Sequence, residues 1–363
     1  MPETDFRVKI QTYLEEVLDT KITIQYIGPI DKSKASDEDL KEFGYGKNLL
    51  IEFIANEDKK SYIMSTMNKN EFGHQFFYDR AKSLLLAHSS YNKLPAHAKS
   101  IDVGSFTTND EFKSAGDCKE LFLVREKIDG TLYFADLEKI VETESISLLD
   151  KERANTLADY LATIHTKKED TDALYKRRIR ELLGHGECIM GLTDSYPNNL
   201  DFPTQEELKS IEKKCVDWRY KIKNKKGRLC QVHGDFHPWN ILFREGLDFS
   251  VIDRSRGEWG EAADDVTALS INYLFYSLQT EGKLMNEFFE LFKIFWNTYL
   301  ENTSDKQILT LAAPFYAWRG LVIGSPIWYP DLDSTIRRKI FKFIHGILST
   351  EKISIKDLKR YFK

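Results

Sequence analysis

The chain has 363 residues, 42% hydrophobic and 30% charged, with 52 Lys and Arg against 57 Asp and Glu for a net charge of -5. That length accommodates two core-forming units. The mild acidity, without a basic tract, argues against electrostatic capture of nucleic acid or of an anionic membrane and favours a small-molecule partner.

The N-terminus, MPETDFRVKI, lacks the apolar core of a secretory signal, and no stretch reaches about 18 uninterrupted apolar residues, so a soluble, cytoplasmic protein is expected. Residues 5–18 place Phe6, Ile10, Tyr13, Leu14 and Val17 at near-helical spacing, which predicts a packing helix. KITIQYI (21–27) alternates as a half-buried strand does and stops at Gly28-Pro29. A polar segment with an N-cap candidate at Ser36 leads to GYGKN (44–48), which opens a second strand, LLIEFIAN. The turn EDKK then leads to a third, SYIMSTMN. Gly44, Gly46 and Lys47 fit two readings: a backbone stripped of Cβ atoms so that its N–H groups approach phosphates, or a plain hairpin turn. Residues 70–88 predict a helix, and AKSIDVGSF and ELFLVREKI predict two further strands before Asp129-Gly130.

From 131 to 222 the pattern is mainly helical. RANTLADYLATIHTKK sets Leu157, Leu161 and Ile164 on one face with His165 beside them, a position typical of a core or helix-end histidine. Arg177, Arg178 and Arg180 cluster as on a solvated helix face, or as a group reaching an anionic substrate. After residue 260 four segments with Phe, Trp and Tyr stripes read as core helices. Cys118, Cys188, Cys215 and Cys230 show no CxxC spacing, so reduced thiols are expected. The prediction is an α+β, bilobal chain. Residues 1–128 form an antiparallel-sheet lobe with one packed helix, and residues 129–363 form a larger, mainly helical lobe.

Between the helical stretches lies VHGDFHPWNILFREGLDFSVID (232–253), a polar loop pinned between apolar runs. Phosphoryl transfer needs a metal held against phosphates and a carboxylate placed to receive the proton of an attacking hydroxyl. Asp235 and Asn240 have the spacing of a kinase base and metal-binding Asn, with four residues intervening, and Asp253 ends the strand that returns across the REGLD turn. One amide and one carboxylate are hard oxygen ligands suited to Mg²⁺ bridged to a nucleotide. A rival is a metal-dependent hydrolase in which His233, Asp235, His237 and Asp253 bind a transition metal, although Pro238 argues for a turn that breaks their alternation.

HGDFHPWNILF followed by VID and ADDVTAL resembles the aminoglycoside phosphotransferase and choline kinase-like family, and REKIDG and LADYLATIHTKK resemble its lobe connection and its helix ending in Leu-x-x-Leu-His. The resemblance implies a protein-kinase-like fold and transfer of the γ-phosphate of ATP or GTP, with Mg²⁺, to a small-molecule hydroxyl. It implies that Asp235 is the base, that Asn240 and Asp253 are Mg²⁺ ligands, that His233 braces the loop and that Asp265 accepts hydrogen bonds from its backbone. Glu126, Lys127 and Ile128 would offer backbone groups to adenine. The pattern departs from the family at the third strand, where Ser65 stands in place of the phosphate-pairing lysine and Asp79 in place of its glutamate partner. Lys47, Lys69, Arg254 or Arg256 are the candidate replacements, and a kinase-like nucleotide-binding module without turnover is the second reading. His237, Arg256, Trp318 and Arg319 are the candidate acceptor-site residues, and core packing with a buried salt bridge is the other reading of Trp318 and Arg319. The acceptor itself and the oligomeric state are not encoded in any motif.

Overall fold

The structure, a computed structural model, describes residues 3–30, 48–70, 72–279 and 285–362. Ser36, Gly44, Gly46 and Lys47 lie outside the described residues. Backbone contacts divide the chain into Met1–Arg125 and Glu126–Lys363, where the sequence reading set the division after Ile128.

In the first unit, α1 (Glu3–Leu18) precedes β1 (Ile22–Pro29), β2 (Asn48–Ala55) and β3 (Asp58–Ser65), an antiparallel sheet in the order β1-β2-β3. Alternate residues of β2, Leu49, Ile51, Phe53 and Ala55, face one side and form a core with Phe6, Ile10, Tyr13 and Leu14 of α1. The two periods, two in the strand and about 3.6 in the helix, bring two apolar faces together. Asn56 and Glu57 take positive φ (49° and 71°), the backbone of a two-residue hairpin turn that follows strand twist.

In this unit one expected helix forms with shifted bounds and one expected strand does not form. The second helix, α2 (Phe77–Tyr91), starts later than expected and buries none of its residues. ELFLVREKI is not a strand: Leu121, Phe122, Leu123 and Val124 are exposed, and residues 120–129 carry no regular structure. Its apolar run has no neighbouring strand among the described residues, and a strand without a ladder leaves its backbone to water. The remaining strands, β4 (Gly104–Phe106) and β5 (Phe112–Ser114), pair only with each other.

The second unit runs β6 (Thr131–Leu132), α3 (Phe134–Thr143), α4 (Leu148–His165), α5 (Asp172–Gly184), α6 (Ile189–Ser195) and α7 (Gln205–Ile222). It continues with β7 (Leu229–Gln231), β8 (Ile241–Phe243), β9 (Phe249–Val251) and β10 (Trp259–Glu261). Helices α8 (Ala262–Gln279), α9 (Asn286–Thr303), α10 (Ala313–Gly324) and α11 (Ser334–Leu348) complete it. Every residue of α8 from Val266 to Leu278 is buried. A helix apolar on all sides belongs at the centre of a core, and α8 packs against α3, α4, α9, α10 and α11. Its polar side chains are satisfied locally, Ser270 donating to the Val266 carbonyl at 2.6 Å and Asn272 to that of Ala268 at 2.7 Å. Among the described residues no helix is long and apolar enough to cross a membrane.

Five short strands hold residues 232–253 in this unit. β7 pairs antiparallel with β10, and β8 lies between β6 and β9. The polar loop therefore leaves one ladder and enters another, and α8 begins directly after β10, beneath it.

Candidate active site

The loop is fixed first through its backbone. Asp265, fully buried in the first turn of α8, accepts the His233 and Gly234 N–H groups at 2.7 Å each and contacts His165 Nε2 at 3.2 Å. Burial pushes this carboxyl up, but His165, His233 and the loop amide outweigh it and hold it below the ordinary range. His165 Nδ1 lies 2.9 Å from the Tyr299 hydroxyl. Gly234 has φ +87°, and a Cβ there would come within 3.1 Å of Arg256 Cβ, so only glycine fits the bend. His233 Nδ1 receives the Asp235 N–H at 3.3 Å, while burial lowers the affinity of its ring for a second proton. Arg254 clamps the other flank, donating to the Val232 carbonyl at 2.9 Å and that of Glu258 at 3.1 Å.

Around the Asp235 carboxylate three cationic or donor groups converge. Arg319 reaches Oδ1 at 2.6 Å; His237 Nε2 and Arg256 lie 3.5 Å and 3.6 Å from Oδ2. Burial pushes Asp235 up, yet the His237 hydrogen bond and the two guanidiniums prevail and hold it well below the usual carboxylate range. Arg319 also donates to the Gly234 carbonyl at 3.1 Å and to Asp264 at 2.7 Å. Asp264 moves the other way: burial, only partly offset by Arg319 and reinforced by Asp265, pushes it up to about 6. One guanidinium thus favours the charged form of both carboxylates, and burial together with Asp265 sets Asp264 apart.

Asn240 donates Nδ2 to the Asp235 carbonyl at 3.0 Å and has the same nitrogen 3.2 Å from His237 Nε2, so Oδ1 is the atom it offers to a cation. Ile252 N–H bonds the Asn240 carbonyl at 3.0 Å, which sets Asp253 at the same end of the β8–β9 hairpin as Asn240. Asp253 is exposed, takes φ +60°, and its carboxylate makes no hydrogen bond or ion pair among the described residues. Hard oxygen donors at one end of a hairpin, one of them unpaired, fit a hydrated Mg²⁺. Among the described residues no three His, Cys, Asp or Glu side chains group as a metal cage. The set His233, Asp235, His237 and Asp253 is therefore not assembled, because Gly234 and the turn at Pro238 break the alternation it requires.

The other expected residues fall as follows. Trp318 and Arg319 do not wall an open acceptor cleft: both are buried, Trp318 donates Nε1 to the Glu187 carbonyl at 2.8 Å, and Arg319 is the ion partner of Asp235. An arginine inside an apolar helix signalled that such a partner exists, without saying which. Ser65 donates to Asn48 Oδ1 at 2.6 Å, and Asp79 accepts the Phe76 N–H at 2.9 Å, capping its own helix. Glu126, Lys127 and Ile128 lie in a segment without regular structure, and their backbone groups have no hydrogen-bond partners among the described residues. Sequence reasoning missed Asp264, Tyr299 and Glu187; the acid pair at the start of α8 was the available signal for the first. The three buried cysteines are free thiols, and burial pushes Cys188 up to about 12, which leaves it no thiolate at neutral pH. A cavity of about 580 Å³ between His165, Lys168, Arg228 and Tyr299 includes none of Asp235, Asn240 and Asp253 in its lining.

No protein-family model matches the chain, and no curated protein matches it. Among the solved structures it is similar to are aminoglycoside phosphotransferases and choline and ethanolamine kinases. An amicoumacin kinase aligns over 98% of this chain and 99% of its own at 13% identity and a TM-score of 0.41. A choline kinase from Streptococcus pneumoniae covers 95% of this chain and 99% of its own at 13% identity, TM-score 0.35. A glucosamine kinase solved with glucosamine, ADP and phosphate covers 63% of this chain at 16% identity, TM-score 0.35; this chain spans only 56% of that one.

Proposed function

We propose that the chain is a small-molecule phosphotransferase that moves the γ-phosphoryl group of ATP or GTP onto a hydroxyl. The observation that carries this is the Asp235 carboxylate, buried, ionised and aimed by Arg319 and His237, on a loop that ends with Asn240 donating back to the Asp235 carbonyl. Asp235 orients the acceptor hydroxyl and receives its proton as the oxygen–phosphorus bond forms and the bond from the γ-phosphorus to the β-phosphate oxygen breaks. A low proton affinity suits this task, because in a loose transition state the hydroxyl gives up its proton late. Asn240 Oδ1 and Asp253 hold Mg²⁺, which supplies charge neutralisation at the phosphates when bound. Asp265, His165 and His233 keep the loop in its working conformation. In this reading residues 1–128 bind nucleotide through Gly44, Gly46, Lys47 and Ser65, residues 126–128 offer backbone hydrogen bonds to the base, and residues 129–363 bind the acceptor.

A module that binds nucleotide without turnover is the second reading, favoured by Ser65 standing at the third strand where the family has lysine. Transfer of labelled phosphate from ATP or GTP, screened over amino alcohols, sugars, nucleosides, aminoglycosides and hydroxy acids, separates the two. Asp235→Asn should lower transfer by about a hundredfold or more, the usual worth of a positioned base, with nucleotide affinity retained. Undiminished transfer in that variant rejects Asp235 as the base.

A further inference from the structure

Arg256 is the cation of this site that the loop does not consume. Arg254 is bound to two backbone carbonyls, and Arg319 is buried between Asp235, Asp264 and Gly234. The Arg256 side chain keeps 24% of its surface exposed and lies over the Trp318 ring at 5.0 Å. Its NH2 is 3.6 Å from Asp235, its NH1 is 3.0 Å from Glu187, and its Nε is buried without a partner. Glu187 is 64% exposed on its side chain, and an exposed ion pair of this kind contributes little to stability and exchanges readily. A guanidinium presents a planar fork of donors that fits a carboxylate or phosphate edge. Here the fork is steadied by an aromatic face and by the base, while its outer partner is replaceable.

We infer that the acceptor carries, besides its hydroxyl, an anionic carboxylate or phosphate group that docks on Arg256 in place of the Glu187 carboxylate. This rests on the phosphotransferase reading and names its substrate class. A polycationic acceptor would need acids turned toward the reacting hydroxyl. Glu261 is instead buried against Arg228, and among the described residues Asp194, Glu258 and Asp331 make no ion pair with Arg256. Docking on Arg256 fixes the acceptor within reach of Asp235, so anion recognition and proton acceptance are adjacent.

The test uses matched hydroxyl compounds differing only in a carboxylate, a phosphate, a neutral amide or an ammonium group, assayed on the full chain with Mg-ATP. We expect kcat/KM for an anionic member to exceed that of its amide and ammonium counterparts by tenfold or more; the carboxylate and phosphate arms decide which anion is preferred. Arg256→Gln should bring that ratio near one, Arg256→Lys should lower it in part, and Glu187→Gln should raise kcat/KM severalfold for anionic members alone. Preference for the ammonium compounds, or an equal loss for all compounds in Arg256→Gln, overturns the inference. Where no compound is turned over, thermal shifts decide it: the anionic compounds should stabilise the wild type more than Arg256→Gln, and equal shifts reject it. Stabilisation by Mg-ATP or Mg-GTP reports separately on the phosphotransferase reading, since its absence with both rejects that reading, whereas its presence with ammonium preference rejects only this one.

Discussion

At the scale of single residues, the site is governed by how one buried guanidinium is shared. Arg319 pairs with Asp235 and Asp264, and removing one partner of a buried ion pair leaves an uncompensated charge. Arg319→Gln should therefore cost about 3–5 kcal/mol in denaturant unfolding, and Asp264→Asn in the same chain should recover part of that loss, as contacting residues do in a double-mutant cycle. Proton linkage gives a second expectation. Asp235 and His233 both hold protons less tightly folded than unfolded. Each contributes stability at neutral pH; that of His233 is lost as pH falls below about 6.5 and that of Asp235 below about 3.9. Asp264, raised to about 6, has the opposite sign, since between about 4 and 6 the folded chain binds a proton that the unfolded chain does not. The stability difference between wild type and Asp264→Asn should therefore move in favour of wild type as pH is lowered from 7 to 4. A pH-independent difference would mean that Asp264 titrates normally.

Among the elements, α8 and α10 do most to place the loop. The first turn of α8 supplies Asp264 and Asp265, and an acid there also sits favourably at the positive end of the helix dipole. Asp265→Ala would strip the partners from two buried N–H groups and from His165, at a cost of about 3–5 kcal/mol, read as a lowered denaturation midpoint. Asp265→Asn, which keeps one acceptor, should cost less. In α10, Gly320 follows Arg319, and a Cβ there would meet Ile344 of α11 at 2.8 Å. Ile344 is fully buried and β-branched, so it yields little. Gly320→Ala should destabilise by about 1–3 kcal/mol through overpacking and reduce transfer further by displacing Arg319 from Asp235.

For the whole molecule, the expectation is ligand linkage. A ligand that binds only the folded chain raises the apparent melting temperature. ATP or GTP with Mg²⁺ should do so, and Asp253→Ala should remove the Mg²⁺-dependent part of the shift while Asp235→Asn keeps it. A shift with Zn²⁺ alone and none with nucleotide would restore the hydrolase reading that the separated His233, Asp235, His237 and Asp253 disfavour.

The amino-acid sequence by itself determined what depends on local spacing. Alternation in Leu49, Ile51, Phe53 and Ala55 marks a half-buried strand, the aromatic and aliphatic stripe after Asp265 marks a core helix, and four residues between Asp235 and Asn240 mark the loop. These are periodic or short-range signals, set by backbone geometry within a few residues. Only the tertiary structure decided that Arg319, 84 residues from Asp235, is its ion partner, and that His165, 100 residues from Asp265, braces the loop from behind. It also decided that the apolar run at 121–124 stays out of any sheet and that α2 buries no residue. Pairing between distant groups follows from which surfaces are desolvated together, and proton affinities follow from that same burial. Periodicity says which face of an element is apolar; it does not say what lies against it.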